Sequence, residues 1–393
     1  MAEPVRVLNV ITHTDVGGAT DAALNACAHV DKDRFTALLV CGPSPDEEGD
    51  SRTRARDLGV EVVTIPQLAR SIDPTGDVRA LRALRRLFRA IQPDIVHTHS
   101  SKAGFLGRLA ARREHVPVVI HTVHGWSFHE YMPRRNRALY VGVERLAARW
   151  TDRIVVVSEL DHEKGLAARI GSRDQYVVIR EVNDLESFFD ADDEPAASRT
   201  RLRLPPEAPV VGTVGRLSEQ KDPATFVRTA AAVAAQVPEA RFVMVGHGPL
   251  RVLVERLVAE LGLSDRFLFT GARTDVPAIL RSFDVFLLTS LWEGMPLVIP
   301  QAMASRVPVV ASTADGNREL IRDGHNGLLA PPRSPDQLAR GVVRLLRETD
   351  LRDRIVERGT RTAKDFKLGR TIPQLERLYL ECVHQRHDEV FRR

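Results

Sequence analysis

The chain has 393 residues, 43% of them hydrophobic and 27% charged, and a formal net charge of +4. That length exceeds one typical core and suits two domains of about 150–200 residues each. No apolar run reaches the length of a membrane span, Cys27, Cys41 and Cys382 lack the spacing of a disulfide framework or zinc site, and the basicity is far short of a nucleic-acid-binding signature. Acidic small substrates or an anionic lipid surface remain compatible with it.

Val5–Ile11 is a short apolar run leading into a glycine turn rather than a cleavage site, so it reads as a first strand and not a signal peptide. With the scattered cysteines, this fits a protein of the reducing cytosol. Phe35–Val40, Val60–Ile65, Ile95–His97, Val118–Val123, Ile154–Val157 and Tyr176–Ile179 read as further strands. Helical patterns fill the gaps at Ala19–Val30, Val78–Ile91, Lys102–Arg113, Asn136–Trp150 and Leu160–Ala168. Strands alternating with helices predict an α/β fold with a doubly wound parallel sheet. Asp190–Pro209 is polar and proline-rich with no strand signal, and is expected to be a linker.

The alternation then resumes. Val210–Val214, Arg241–Val245, Phe267–Thr270, Val285–Leu288, Val307–Ala311 and Gly327–Ala330 read as strands, with helices at Ala224–Gln236, Leu250–Leu261, Val276–Arg281, Pro296–Ala304 and Pro335–Arg347. Leu351–Arg393 is helical by pattern, broken at Pro373. The expected division is a first domain at 1–189, a linker at 190–209, a second domain at 210–370 and a closing helix at 371–393.

Chemistry-bearing residues gather where strands run into helices. Gly17 and Gly18 follow the first strand, where glycine lets backbone approach a ligand, although a tight turn asks for the same residue. His97, His99 and Lys102 follow the fourth strand, with Ser100 or Ser101 as a helix cap. Two histidines one residue apart would hold a metal only with a further ligand such as His121 or His124, and no metal or cofactor is assigned. His124-Gly125 stands at the end of a buried strand, at the edge where α/β proteins bind ligands. In the second half, Arg216 and Lys221 share one loop and could converge on a diphosphate, Arg as a planar fork and Lys as a point charge. Asp284–Ser312 reads strand, turn, helix start, strand. The amides of Gly294 and Met295, before Pro296, would face an anion, and Glu293 beside them would accept sugar hydroxyls.

EGMPLVIPQAMA from Glu293 resembles the E-x7-E segment of family 4 retaining glycosyltransferases of the GT-B fold, usually EGxPxxxxEAMA. GRLSEQKDP resembles their G-R-x3/4-K segment, TVHGWSF their TVHGxxF, GHGPL their GxGPxR/L turn and TGAR their TGxR turn. The five motifs occur in family order across nearly the whole chain. The resemblance implies two Rossmann-like domains facing a central cleft, with the C-terminal helix crossing back to the first. It implies that Arg216 and Lys221 hold the donor diphosphate, that Gly17 and Gly18 face it, and that Gly246 and Arg273 flank the nucleobase. His124 would bond a donor-sugar hydroxyl or support charge near the anomeric carbon, and Glu293 would orient the sugar. His97, His99 and Lys102 fall on the acceptor side.

Two positions depart from the family. Gln301 stands where an acid usually accepts the ribose hydroxyls, and Glu181-Val182-Asn183-Asp184 replaces an Asn-Gly or Ser-Gly loop. Separately, Arg79, Arg82, Arg86 and Arg89 line one face of the Val78–Ile91 helix. That pattern reads as a solvated polar face or as a helix docking on anionic lipid. The expected activity is hexose transfer from a nucleotide-diphosphate sugar, preferably a UDP-sugar, to a hydroxyl of a small-molecule, glycan or lipid-linked acceptor. The protein is expected in the cytoplasm, with peripheral contact at the inner face of the membrane. A nucleotide-sugar epimerase and a non-catalytic nucleotide-sugar-binding protein are the alternatives.

Overall fold

The structure, a computed structural model, describes residues 3–13, 17–43, 52–69, 71, 73–181, 184–190 and 195–391. It divides into two compact units, residues 1–183 with 368–393, and residues 184–367.

The first unit runs β1 (Val5–Ile11), α1 (Gly18–His29), β2 (Phe35–Cys41), α2 (Arg52–Asp57), β3 (Val62–Thr64), α3 (Pro74–Ile91), β4 (Ile95–His99), α4 (Ser101–Arg113), β5 (Val118–Val123), α5 (Arg134–Ala148), β6 (Arg153–Val156), α6 (Glu159–Ala167) and β7 (Tyr176–Val178). All strand pairs are parallel, in the order β3-β2-β1-β4-β5-β6-β7. The strands are near-continuous apolar runs because helices cover both faces. Val7, Ile95, Val118, Ile120 and Val155 meet the C-terminal helix on one face. On the other, Leu8, Val10, Val96 and Val119 pack under α3 and α4, and Val123, Ile154 and Val156 under α5.

α3 begins four residues before the expected start. The apolar pattern is blind to its opening turn, where Asp73 caps the helix by accepting the Thr75 amide at 3.1 Å and Pro74 occupies the first position.

The second unit runs α7 (Glu186–Phe189), α8 (Pro195–Arg201), β8 (Val210–Val214), α9 (Pro223–Ala234), β9 (Arg241–Val245), α10 (Arg251–Glu260), β10 (Phe267–Gly271), α11 (Val276–Arg281), β11 (Val285–Leu288), α12 (Val298–Ala304), β12 (Val309–Ser312), α13 (Asp315–Leu320), β13 (Leu328–Ala330), α14 (Pro335–Arg347) and α15 (Thr349–Ala363). Its parallel sheet has the order β10-β9-β8-β11-β12-β13. Of the stretch expected as a linker, residues 195–209 belong to this unit and residues 191–194 lie outside the described residues. Ser198 of α8 is buried, and Arg199 donates to Asp284 Oδ2 at 2.7 Å and to the Ser282 carbonyl at 3.2 Å, which anchors the segment to this unit. The division falls instead after residue 183.

α16 (Leu368–Phe391) returns to the first unit, burying Leu375, Leu378, Tyr379 and Cys382 on its core. It continues through Pro373, so the expected break there is not found. The interruption lies at Lys364–Phe366, a tighter 3₁₀ turn between α15 and α16. Proline lacks only the amide that would have bonded the Gly369 carbonyl, in a turn still close to the helix start.

Candidate functional site

In both sheets the strand order reverses beside the first strand of the unit, and the loops leaving that switch point carry Gly17, Gly18 and Lys102 in the first unit and Arg216, Lys221 and Glu293 in the second. In the second unit these are the loops after β8 and β11. They are fastened to each other by backbone, the Leu291 amide donating to the Gln220 carbonyl at 2.8 Å. Thr289, at the end of β11, donates its hydroxyl to the carbonyls of Lys221 and Asp222 at 2.9 Å each. Asp222 then caps α9 through Thr225, which fixes where the loop ends.

This frame brings Lys221 and Glu293 together. Lys221 Nζ donates to Glu293 Oε1 at 2.5 Å, Ser290 Oγ donates to the same oxygen at 2.6 Å, and Gln220 Nε2 donates to Oε2 at 3.2 Å. Glu293 is therefore not an open carboxylate at a mouth. It is buried, and three of its roughly four lone-pair sites are filled by protein donors. What it holds in place is the lysine. Arg216 stands exposed on the same loop, and Gly215, Arg216, Lys221 and Thr289 line one concave surface at this end of the sheet.

Gly246 is required here: at φ 130°, a Cβ on it would lie 2.0 Å from the Gly215 carbonyl oxygen, so the β8 and β9 loops touch backbone to backbone. Gly294, Met295 and Pro296 are buried in the β11 loop. The helix they lead into begins at Val298, not at Pro296, and Gln301 lies half-buried within it. Arg273 does not present an open fork: its Nε and Nη2 donate to Asp275 at 2.8 and 2.7 Å.

In the first unit, the switch point lies between β1 and β4. Thr12 Oγ1 and Ser100 Oγ are 2.8 Å apart, and Thr12 Oγ1 accepts the Ala103 amide at 3.1 Å. Thr12, not either serine, thus satisfies an amide at the start of α4. Of the expected glycine turn, residues 14–16 lie outside the described residues. Gly17 is extended, and a Cβ there would meet nothing within 4 Å among the described residues. Neither its conformation nor its packing demands glycine. Gly18 opens α1. Lys102 is held by Asp77 Oδ1 at 2.5 Å and by the Ser71 carbonyl, tying α4 to α3.

These histidines form three separate hydrogen-bonded systems. His97 is buried between Tyr379 Oη and Thr122 Oγ1, both 2.7 Å from its ring nitrogens. Burial pushes its pKa down to about 3. His121 faces the other side of the sheet, against Thr98, and burial followed by the Arg108 charge holds it well below the usual range. Their opposite facing means that His97, His99 and His121 do not converge as a ligand set.

The third system is a line from Asn9 through His99 and His124 to Glu181. His99 Nε2 lies 3.1 Å from Asn9 Oδ1, His99 Nδ1 lies 2.9 Å from His124 Nε2, and His124 Nδ1 lies 2.6 Å from Glu181 Oε1. A carboxylate stands at one end of the line and the Asn9 side-chain oxygen at the other. Burial depresses His99 well below the usual range. Both ring nitrogens of His124 are engaged by protein. Glu181 was visible in the sequence as a departure from the family loop, but its partner was not. Asn9 and Thr12 gave no signal at all. Beside this line, burial raises the Asp21 carboxyl, against the Arg54 guanidinium 2.5 Å away.

Residues 196–362 match the family profile described as glycosyl transferases group 1, and residues 17–180 that of a glycosyl transferase 4-like domain. The chain is 31% identical over 385 residues to the UDP-Gal:alpha-D-GlcNAc-diphosphoundecaprenol alpha-1,3-galactosyltransferase of Escherichia coli, covering 96% of this chain and 97% of that one. It is 28% identical to the alpha-D-kanosaminyltransferase of Streptomyces kanamyceticus, covering 77% and 80%. The crystal structure of Anabaena Alr3699/HepE in complex with UDP and glucose superposes with a TM-score of 0.83 at 21% identity, covering 96% of this chain and 100% of that one. The switch-point loops, the paired Rossmann-like sheets and these likenesses agree, and the chain belongs to the group 1 glycosyltransferases, with a GT-B fold.

Proposed function

We propose that the enzyme transfers a hexose-type sugar from a UDP-sugar to an acceptor hydroxyl with retention at the anomeric carbon. The observation that carries this reading is the meeting of Lys221 and Glu293, 72 positions apart, beside Arg216 at the switch point of the second unit. Glu293 and Ser290 fix the ammonium before any ligand arrives, so it stabilises charge developing on a diphosphate without reorganising. Arg216 adds a second cation from the same loop. The bond from the anomeric carbon to the diphosphate breaks with its electron pair leaving on phosphate. The acceptor oxygen bonds the same face of that carbon, and its proton passes to a donor phosphate oxygen. The embedding of Glu293 under three donors favours this route over attack by a protein carboxylate. Gln301 accepts a ribose hydroxyl, and Gly17 leaves room for a ligand to approach the backbone of the first unit. A sugar hydroxyl reaching His124 Nε2 displaces its contact with His99.

The E. coli relative is named for UDP-galactose and for an acceptor sugar carried on diphosphoundecaprenol. A lipid-linked acceptor is the reading adopted here, with the enzyme working in the cytoplasm against the inner membrane face. A thermal-shift screen over nucleotide sugars, followed by turnover with a diphosphopolyprenol-linked sugar, tests it. An α-linked product from an α-configured donor is expected by proton NMR. A β-linked product overturns retention, and stabilisation by other bases but not UDP-sugars overturns the donor.

A further inference from the structure

α3, α4 and α5 cover one face of the first unit's sheet, and the outward side of α5 is unlike that of an ordinary solvated helix. Its inner stripe is Tyr140, Val141, Glu144, Ala147 and Ala148, half-buried or buried. Opposite, Leu139 is 66% and Leu146 41% exposed. Being seven residues apart they share one stripe, on which Arg135 and Gly142 also fall. A Cβ at Gly142 would meet nothing within 4 Å, so the stripe is open there as well.

Charge singles the surface out further. Arg134, Arg135, Arg137, Arg145 and Arg149 are all exposed. The one acid between positions 134 and 149 is Glu144, which is buried and bonded to Arg108 at 2.8 Å. On α3, Arg79, Arg82 and Arg86 are exposed too, whereas Arg85 and Arg89 share Glu114, and Val78 is 47% exposed. Among the described residues, the other exposed large apolar ones, Val252, Leu253 and Leu261, lie on or just after α10, where Glu255 and Glu260 are interleaved with Arg251 and Arg256. On α5, two apolar side chains among five exposed arginines, with no exposed anion between positions 134 and 149, match the headgroup layer of an anionic bilayer, which offers phosphates to the arginines and an acyl boundary to the leucines.

We propose that this face, with α5 as its apolar anchor, docks the enzyme on anionic lipid. Leu139 and Leu146 enter the headgroup layer and the arginines of α5 and α3 pair with lipid phosphates. This narrows the membrane contact expected at α3 alone: the α3 arginines add charge, and α5 supplies the apolar anchor. The inference rests on the lipid-linked acceptor reading, but its readout needs no turnover.

Co-sedimentation with phosphatidylcholine vesicles, with and without phosphatidylglycerol and free of any lipid-linked sugar, tests it. Binding to the phosphatidylglycerol vesicles, released by salt, is expected. Leu139→Ser with Leu146→Ser should weaken it about ten-fold or more, and Arg135→Gln with Arg149→Gln about five-fold per arginine. Val252→Ser with Leu253→Ser on α10 should change nothing. No binding to phosphatidylglycerol vesicles by the unaltered enzyme, or binding indifferent to the α5 changes, overturns the proposal. Light scattering of the unaltered enzyme adds a check: a dimer that Leu139→Ser dissociates would make the face a contact between copies and overturn the proposal as well. If the acceptor reading fails instead, turnover on lipid-linked sugars is absent while vesicle binding persists.

Discussion

Lys221 and Glu293 illustrate how a single contact can serve two ends. Replacing Lys221 with alanine removes a charge-assisted contact to the donor, of roughly 1.5–3 kcal/mol, and so weakens UDP-sugar binding by about 10- to 150-fold. It also leaves Glu293 buried with only Ser290 and Gln220 as donors, which costs stability. Lys221→Ala with Glu293→Gln should therefore melt higher than Lys221→Ala alone and still bind donor weakly. If the double variant recovered donor binding, Lys221 would have no part in holding the diphosphate. The histidines carry a second prediction. His97, His99 and His121 are all held neutral by burial, their folded pKa values lying below the unfolded one near 6.5. Unfolded chains therefore bind more protons as the pH falls through 6.5, and stability is lost progressively from there down to about pH 3, where His97 protonates in the folded state. A melting midpoint that stays level between pH 7 and pH 5 would contradict that burial.

Strands and loops were legible in the sequence because their causes are local. Val5–Ile11, Val118–Val123 and Val285–Leu288 are apolar runs covered on both faces, and their observed bounds are those expected. Glycine at position 246 follows from the contact between two loops. Gly246→Ala would drive a methyl into the Gly215 carbonyl and force a positive φ on an L-residue. We expect a loss of about 1–3 kcal/mol in denaturant titrations, together with weaker donor binding, since the displaced loop carries Arg216. Unaltered stability would mean that the two loops do not approach as described. Non-local causes were not legible. Pro373 reads as a helix breaker to any local rule, yet burial of Leu375, Leu378 and Tyr379 keeps α16 continuous. The partners of His99 and His124 come from β1 and from the end of the β7 loop, 90 and 57 positions away, a distance over which spacing conveys nothing.

At the scale of the whole molecule, the second unit is one uninterrupted stretch and the first is not. A fragment of residues 184–367 contains its entire sheet and core, so it should fold alone and bind UDP. Residues 1–183 lack α16, which covers Val7, Ile95, Val118 and Ile120, and should not give a cooperative transition without it. A cooperative melt of the 1–183 fragment would show α16 to be dispensable. The same interruption sets a timetable for synthesis. Between the last strand of the first unit and the helix that closes it, a ribosome must complete the whole of 184–367, which at usual elongation rates takes roughly 10–40 s. For that interval the nascent first unit carries a bare apolar sheet face while the second unit is still being made. The half of the enzyme that is translated first is thus the half that finishes last, and the stage at which it most needs a chaperone is fixed by where α16 lies along the message.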